Sequence, residues 1–134
     1  MSPIPRDIAE KTASWPVPAR DLFCRIRETV HDAAARAEIG PLTETLKWGQ
    51  PSWLPRKPRI GTTLRCGWDP DTPEQFSLYV HCQTTLIETM KTLYPNAFEY
   101  DGNRAMRMPL NGPSSLHAID HCAFLTLTYH RKIA

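Results

Sequence analysis

The stretch Phe76-Ser77-Leu78-Tyr79-Val80-His81-Cys82-Gln83-Thr84-Thr85-Leu86-Ile87-Glu88-Thr89-Met90 changes its period halfway along, and that change decides the fold class. Phe76, Leu78, Val80 and Cys82 alternate with Ser77, Tyr79 and His81, the two-residue repeat of a strand with one buried face. Beyond it Leu86, Ile87, Met90, Leu93 and Tyr94 return at helical spacing, Thr85 and Glu88 stand at capping-box distance, and Pro95 stops the helix. A strand that passes straight into a helix leaves the N–H groups of Gln83, Thr84 and Thr85 at a helix N-terminus. Such an end favours a negative group by about 0.3 to 1 kcal/mol.

Working outward, Ile60 to Cys66 reads as a strand joined to this one through Asp69-Pro70-Asp71-Thr72-Pro73. Residues 42–48 read as another, with Leu42, Leu46 and Trp48 on one side and Thr43, Thr45 and Lys47 on the other. Pairing these strands would set one face against helices and gather Lys47, Arg65, Tyr79 and His81 on a polar, partly cationic face. Before them, Leu22, Phe23, Ile26, Val30, Ala33, Ala34 and Ala37 share one side of a helix that starts at Pro18 and ends at Gly40-Pro41. Residues 1–17 lack periodicity and read as an extended arm, anchored by Trp15.

Downstream, a hairpin over residues 97–109 turns at Asp101-Gly102-Asn103. After the turn at Asn111-Gly112-Pro113, Ser114 or Ser115 caps a closing helix that runs to about His130, apolar along Leu116, Ile119, Ala123 and Leu127. The expected order is α-β-β-β-α-β-β-α: an α+β domain over residues 18–134, its antiparallel sheet of about five strands flanked by helices.

With 134 residues the chain is large enough to bury roughly 65 to 70% of its unfolded surface without staples. A formal charge of +2 is too small for a strongly basic nucleic-acid binder, and the cluster Arg56, Lys57, Arg59 reads as a solvated loop. No apolar run reaches the length of a membrane span, and Arg6, Asp7, Glu10 and Lys11 stand where a signal peptide would be apolar. Cys24, Cys66, Cys82 and Cys122 form no Cys-x-x-Cys pair, so reduced thiols in a cytoplasmic protein are expected.

Three polar segments can converge on the strand-to-helix junction, which makes Gln50, His81, Gln83, Thr84, Asn103 and Arg104 the candidate ligand-binding residues. A carboxylate or phosphate would suit the helix end, with Arg104 adding a bidentate contact. In the structural alternative Thr85 caps the helix, Gln83 and Asn103 satisfy backbone groups, and Arg104 pairs with an acidic neighbour such as Glu99. His81 has no Ser, Cys or Asp beside it in a nucleophile motif, so no catalytic residue is assigned. His117 and His121 with Asp120, and Cys24, Glu28 and His31, are helical-spacing sets without a third and fourth ligand at recognisable spacing. Neither a metal nor a cofactor is assigned on them. Trp48 is expected to pack under the sheet, leaving Gln50 to face the site.

The chain resembles the YdhG-like family, small bacterial proteins gathered as a domain of unknown function. The resemblance rests on Glu44-Thr45-Leu46-Lys47-Trp48-Gly49-Gln50-Pro51-Ser52-Trp53, Gly61-Thr62-Thr63-Leu64-Arg65, His81-Cys82-Gln83-Thr84-Thr85-Leu86, Gly102-Asn103-Arg104-Ala105, and His121-Cys122 with Leu127-Thr128-Tyr129-His130. It implies an α+β fold with a helix-flanked antiparallel sheet and no established activity. More distant relatives are described as frataxin-like iron chaperones, but no iron ligand carries over residue by residue. Three readings follow: a binder of a small polar or anionic ligand, an iron-handling protein, or a protein-interaction module.

Overall fold

The computed structural model describes residues 2–112 and 115–131. Its elements run α1 (Arg6–Thr12), α2 (Val17–Ala37), β1 (Leu42–Lys47), β2 (Gln50–Pro55), β3 (Leu64–Gly67), β4 (Gln75–Tyr79), α3 (Leu86–Leu93), β5 (Glu99–Asp101), β6 (Ala105–Pro109) and α4 (Leu116–Leu127). The six strands form one antiparallel sheet in the order β1-β2-β3-β4-β6-β5. The α+β class and the switch from strand to helix between Tyr79 and Leu86 stand as the periodicity predicts. The order differs from expectation by a helix and a strand.

The additional helix, α1, lies within the segment read as an extended arm. Its Thr12 hydroxyl donates to the Ile8 carbonyl, and Ile8 is fully buried. Asp7 Oδ2 accepts from Thr45 Oγ1 and from the Leu46 N–H, so α1 satisfies part of the outer edge of β1, which would otherwise offer unpaired backbone groups. Seven residues flanked by prolines carry too few turns for a helical period to emerge from the sequence. Trp15 anchors the segment as expected, edge-on to Phe23 and Phe76 at 6.1 and 5.8 Å.

The additional strand, β2, is hidden by Pro51 and Pro55, since proline cannot donate to a ladder. β2 nonetheless lies between two neighbours, because its pairing with β3 is confined to Ser52↔Arg65 and Trp53↔Leu64. Both prolines fall outside that short ladder. The third strand is correspondingly shorter than Ile60 to Cys66, starting only at Leu64. Before it, Gly61 presses against the end of α4: a Cβ there would lie 2.1 Å from the Leu127 carbonyl oxygen, and Thr62 N–H donates to the Thr126 carbonyl.

Strand register divides the sheet into two unlike faces. Leu42, Leu46, Trp53, Leu64, Cys66, Phe76, Leu78, Met106 and Met108 join one core with Leu22, Phe23, Ile26 and Val30 of α2, Met90 of α3, and Ile119, Ala123 and Leu127 of α4. Each fully buried large apolar side chain in that core contributes roughly 1.5 to 3 kcal/mol. By alternation the other face carries Thr45, Lys47, Gln50, Ser52, Arg65, Ser77, Tyr79 and Arg107, the polar face that the strand patterns predict. Ser115 caps α4 by accepting from the Ala118 N–H, and α4 ends at Leu127 rather than near His130. Ser114, the other capping candidate, is outside the described residues.

A charged cluster inside the core escaped the sequence reading. Glu44 Oε2 accepts from Arg27 Nε at 2.7 Å, Trp53 Nε1 at 2.7 Å and His31 Nε2 at 3.3 Å, while Oε1 accepts from Arg27 Nη2 at 2.9 Å. Arg27 also donates to the carbonyls of Ser2 and Pro3, tying the start of the chain to the body. Burial opposes ionisation of Glu44, but hydrogen bonds from His31, Arg27 and Trp53 and the Arg27 charge outweigh it, holding the carboxyl down at about 2. Alternation does place Glu44 on the side of Leu42 and Leu46, and that placement of a carboxylate among apolar residues is the signal for a buried pair.

Candidate functional site

The β1–β2 hairpin turns on two residues, with Lys47 and Gln50 paired across it and both Trp48 and Gly49 at positive φ, 55° and 73°. This is the backbone of a two-residue hairpin whose twist matches its strands, and it is the reason for Gly49. Trp48 occupies the other such position and is 88% exposed, so it does not pack under the sheet as expected. The turn ejects its side chain from the alternation on which that expectation rested.

Beside Trp48 lies an open cleft of about 360 Å³, lined by Trp48, Arg65, Val80, His81, Cys82 and Arg104. Arg65 comes from β3, His81 and Cys82 from the segment just past β4, and Arg104 from the β5–β6 turn, joined to that segment where Val80 N–H donates to the Arg104 carbonyl at 2.8 Å. Arg65 is held by two neighbours: its Nη1 donates to Gln50 Oε1 at 3.0 Å, and its guanidinium stands 5.6 Å from the centre of the Tyr79 ring. Among the described residues neither Arg65 nor Arg104 has a carboxylate within 4.0 Å, whereas Arg107 on the same sheet face is neutralised by Asp101 at 2.8 Å.

The structure divides the six predicted site residues. His81 and Arg104 line the cleft, and Gln50 serves it through Arg65. Asn103 is structural: its Nδ2 donates to the Cys82 carbonyl at 2.9 Å, fastening the hairpin to the β4–α3 junction. Gln83 and Thr84 are not among the lining residues. The Thr84 hydroxyl donates to the His81 carbonyl and accepts from the Leu86 N–H.

The helix end is not available in the form the sequence suggested. Gln83 N–H donates to His81 Nδ1 at 3.1 Å, Thr84 N–H to the His81 carbonyl at 3.2 Å, and Thr85 N–H to the Tyr129 hydroxyl at 3.0 Å. The Thr85 side chain makes no capping bond, so the Thr85–Glu88 capping box does not form. These contacts consume the N–H groups on which a helix-end anion site would depend. They also fix the neutral His81 ring: with Nδ1 accepting, the proton sits on Nε2, which can donate to a bound group.

Arg65 was visible as a polar-face cation but not as a site residue, because its neighbour His81 lies past the end of β4. A larger cleft of about 540 Å³, lined by Arg59, Ile60, His130 and Arg131, also brings two arginines to a histidine, although Arg131 there donates to the Ala37 carbonyl; two others of comparable size lack this convergence. One, about 380 Å³, is lined by Glu74, Glu99 and Arg107 among others; the second, about 340 Å³, is an apolar groove between Leu86 of α3 and Phe124 and Leu125 of α4.

Members of the two helical-spacing sets, to which no metal is assigned, are engaged elsewhere. His121 Nδ1 and the Tyr94 hydroxyl are hydrogen-bonded at 2.7 Å, Asp120 pairs with Arg36, and His31 contacts Glu44. Among the described residues no three His, Cys, Asp or Glu side chains are grouped to hold a metal ion. All four cysteines are unpaired thiols, Cys66 and Cys122 fully buried and Cys82 half-buried at the cleft. Burial pushes the Cys122 thiol up to about 12. No helix among the described residues is long and apolar enough to cross a membrane. No family model matches the chain, nor does any curated protein or solved structure.

Proposed function

We propose that this chain is a ligand-binding protein of the YdhG-like kind, and that it holds a small anion, a carboxylate or phosphate, in the cleft bounded by Arg65, His81 and Arg104. One observation carries the reading: two guanidinium groups without carboxylate partners converge with an imidazole on a single concave site. Arginines free of partners are ordinary on a surface; here, unlike in the cleft at Arg59, His130 and Arg131, they share the concavity with the exposed ring of Trp48. A phosphate or carboxylate can take paired N–H bonds from either guanidinium, and His81 Nε2 can add a third donor. Binding rather than catalysis is favoured because no nucleophile is paired with His81, whose Nδ1 is occupied by the Gln83 N–H.

The test is anion protection against thermal unfolding. Phosphate at ten times its Kd stabilises the native state by about 1.4 kcal/mol if it binds that state alone. Arg104→Ala is expected to lose most of this protection, while Arg56→Ala, in an exposed loop away from the cleft, retains it. Equal protection in wild type and Arg104→Ala, or the same loss in Arg56→Ala, overturns the proposal.

A further inference from the structure

The cleft has an aromatic wall that bare anion binding does not use. Trp48 is 88% exposed although Trp15 and Trp53 are 5% and 0% exposed, so burying tryptophan is well within this fold's reach. Its backbone is also at φ 55°, a left-handed position where glycine would sit without strain and asparagine or aspartate with less. Both features oppose placing tryptophan there for the sake of the fold. Yet the residue is presented by a tight turn between paired strands, so its backbone is fixed rather than trailing from a loop. It borders the same concavity as Arg65 and Arg104.

From this juxtaposition we infer that the ligand is a nucleotide, whose base stacks on the Trp48 indole while its phosphate meets Arg65 and Arg104. A flat ring joined to an anion fits a site lined by one aromatic ring and two arginines. A cleft of about 360 Å³ is near the lower end of the range for small-ligand sites, suited to one such unit rather than a larger cofactor. The inference rests on the anion reading above and adds the stacking partner. The same chemistry is offered by a free mononucleotide and by one unit of a single strand.

Calorimetric titration of the full chain with phosphate, adenosine, adenosine monophosphate and a short oligoadenylate separates these cases. The monophosphate is expected to bind about tenfold to a hundredfold more tightly than phosphate, the gain that one base–aromatic stack supplies. In Trp48→Ala that advantage disappears while phosphate binding is unchanged, and Trp48→Phe restores part of it. Oligoadenylate binding no tighter per nucleotide than the monophosphate identifies the free nucleotide as the source; tighter binding that depends on Trp48 identifies a single strand. If phosphate binds through Arg104 but the monophosphate binds no more tightly, or its advantage survives in Trp48→Ala, the nucleotide inference is overturned and the anion reading stands. If neither phosphate nor the monophosphate binds, both fall.

Discussion

Arginine appears on both faces of the sheet, and its surroundings differ in a way that separates stability from binding. On the helix-covered face Arg27 is buried with Glu44, His31 and Trp53, and the guanidinium and carboxylate satisfy each other and the start of the chain. On the open face Arg65 and Arg104 meet beside Trp48 with no carboxylate within reach among the described residues. The first cluster has its electrostatic partner built in. The second has Arg65 held by Gln50 and Tyr79 and the Arg104 backbone fixed by Val80, but among the described residues no carboxylate neutralises either guanidinium. A charged group that the fold has already paired contributes to folding, whereas one left in a cleft without a counter-charge is open to a ligand.

The strongest way to break this contrast is to remove the internal acceptor. Glu44→Gln keeps the shape but leaves Arg27 buried without a counter-charge, and loss of one partner from a buried pair costs about 3 to 5 kcal/mol. Denaturant unfolding should show that loss, while Arg104→Ala in the same assay stays within about 0.5 kcal/mol of wild type. Comparable losses from the two substitutions would erase the distinction. The pH dependence has a definite sign. Because the folded Glu44 carboxyl is depressed from 4.5 to about 2, its contribution is present above pH 4.5 and is lost as pH falls toward 2. Wild type should lose on the order of 3 kcal/mol across that window from this group, and Glu44→Gln should show a correspondingly flatter acid limb.

The two faces were unequally legible in the sequence. The polar face follows from alternation alone, which places Lys47, Arg65 and Tyr79 together. Glu44 obeys the same alternation, but what makes it tolerable among Leu42, Leu46 and Trp53 is a partner 17 residues away on α2, and single-strand patterns carry no such pairing. β2 was lost for a local reason: Pro51 and Pro55 argue against a strand unless the neighbouring ladder is short enough to avoid them. At the cleft, His81 and Arg104 were legible as polar residues at a strand end and a turn. Closure of the helix end was not, because it depends on the Tyr129 hydroxyl, which lies 44 residues downstream and accepts from the Thr85 N–H.

An intermediate effect is expected where the cleft is braced against the core. Gly61 leads into β3, which carries Arg65, and a Cβ at that position would lie 2.1 Å from the Leu127 carbonyl oxygen and 2.4 Å from its carbon. Backbone cannot yield as a flexible side chain would, so Gly61→Ala must separate the loop from the end of α4. Such overpacking costs about 1 to 3 kcal/mol. If the displacement reaches β3, phosphate protection should weaken as well, although Gly61 is not among the lining residues. A melting temperature matching wild type would show that this approach is looser than its geometry implies.

The smallest expected effect is also the sharpest, because its sign runs opposite to the others. Trp48→Asn places at φ 55° a residue that two-residue hairpin turns favour, and removes an indole whose burial contributes little to the fold. Relief of left-handed strain, about 1 to 2 kcal/mol for an ordinary residue and less where asparagine retains some, should leave a net gain of about 0.5 to 1 kcal/mol in denaturant unfolding. A core residue could not behave this way: truncating a buried tryptophan costs about 3 to 5 kcal/mol. A stability gain joined to a loss of nucleotide affinity would mean that Trp48 is kept for the cleft at the expense of the fold. A loss of stability would instead mean that the indole supports the hairpin through contacts with its neighbours, and the contrast between the two faces would then rest on the arginines alone.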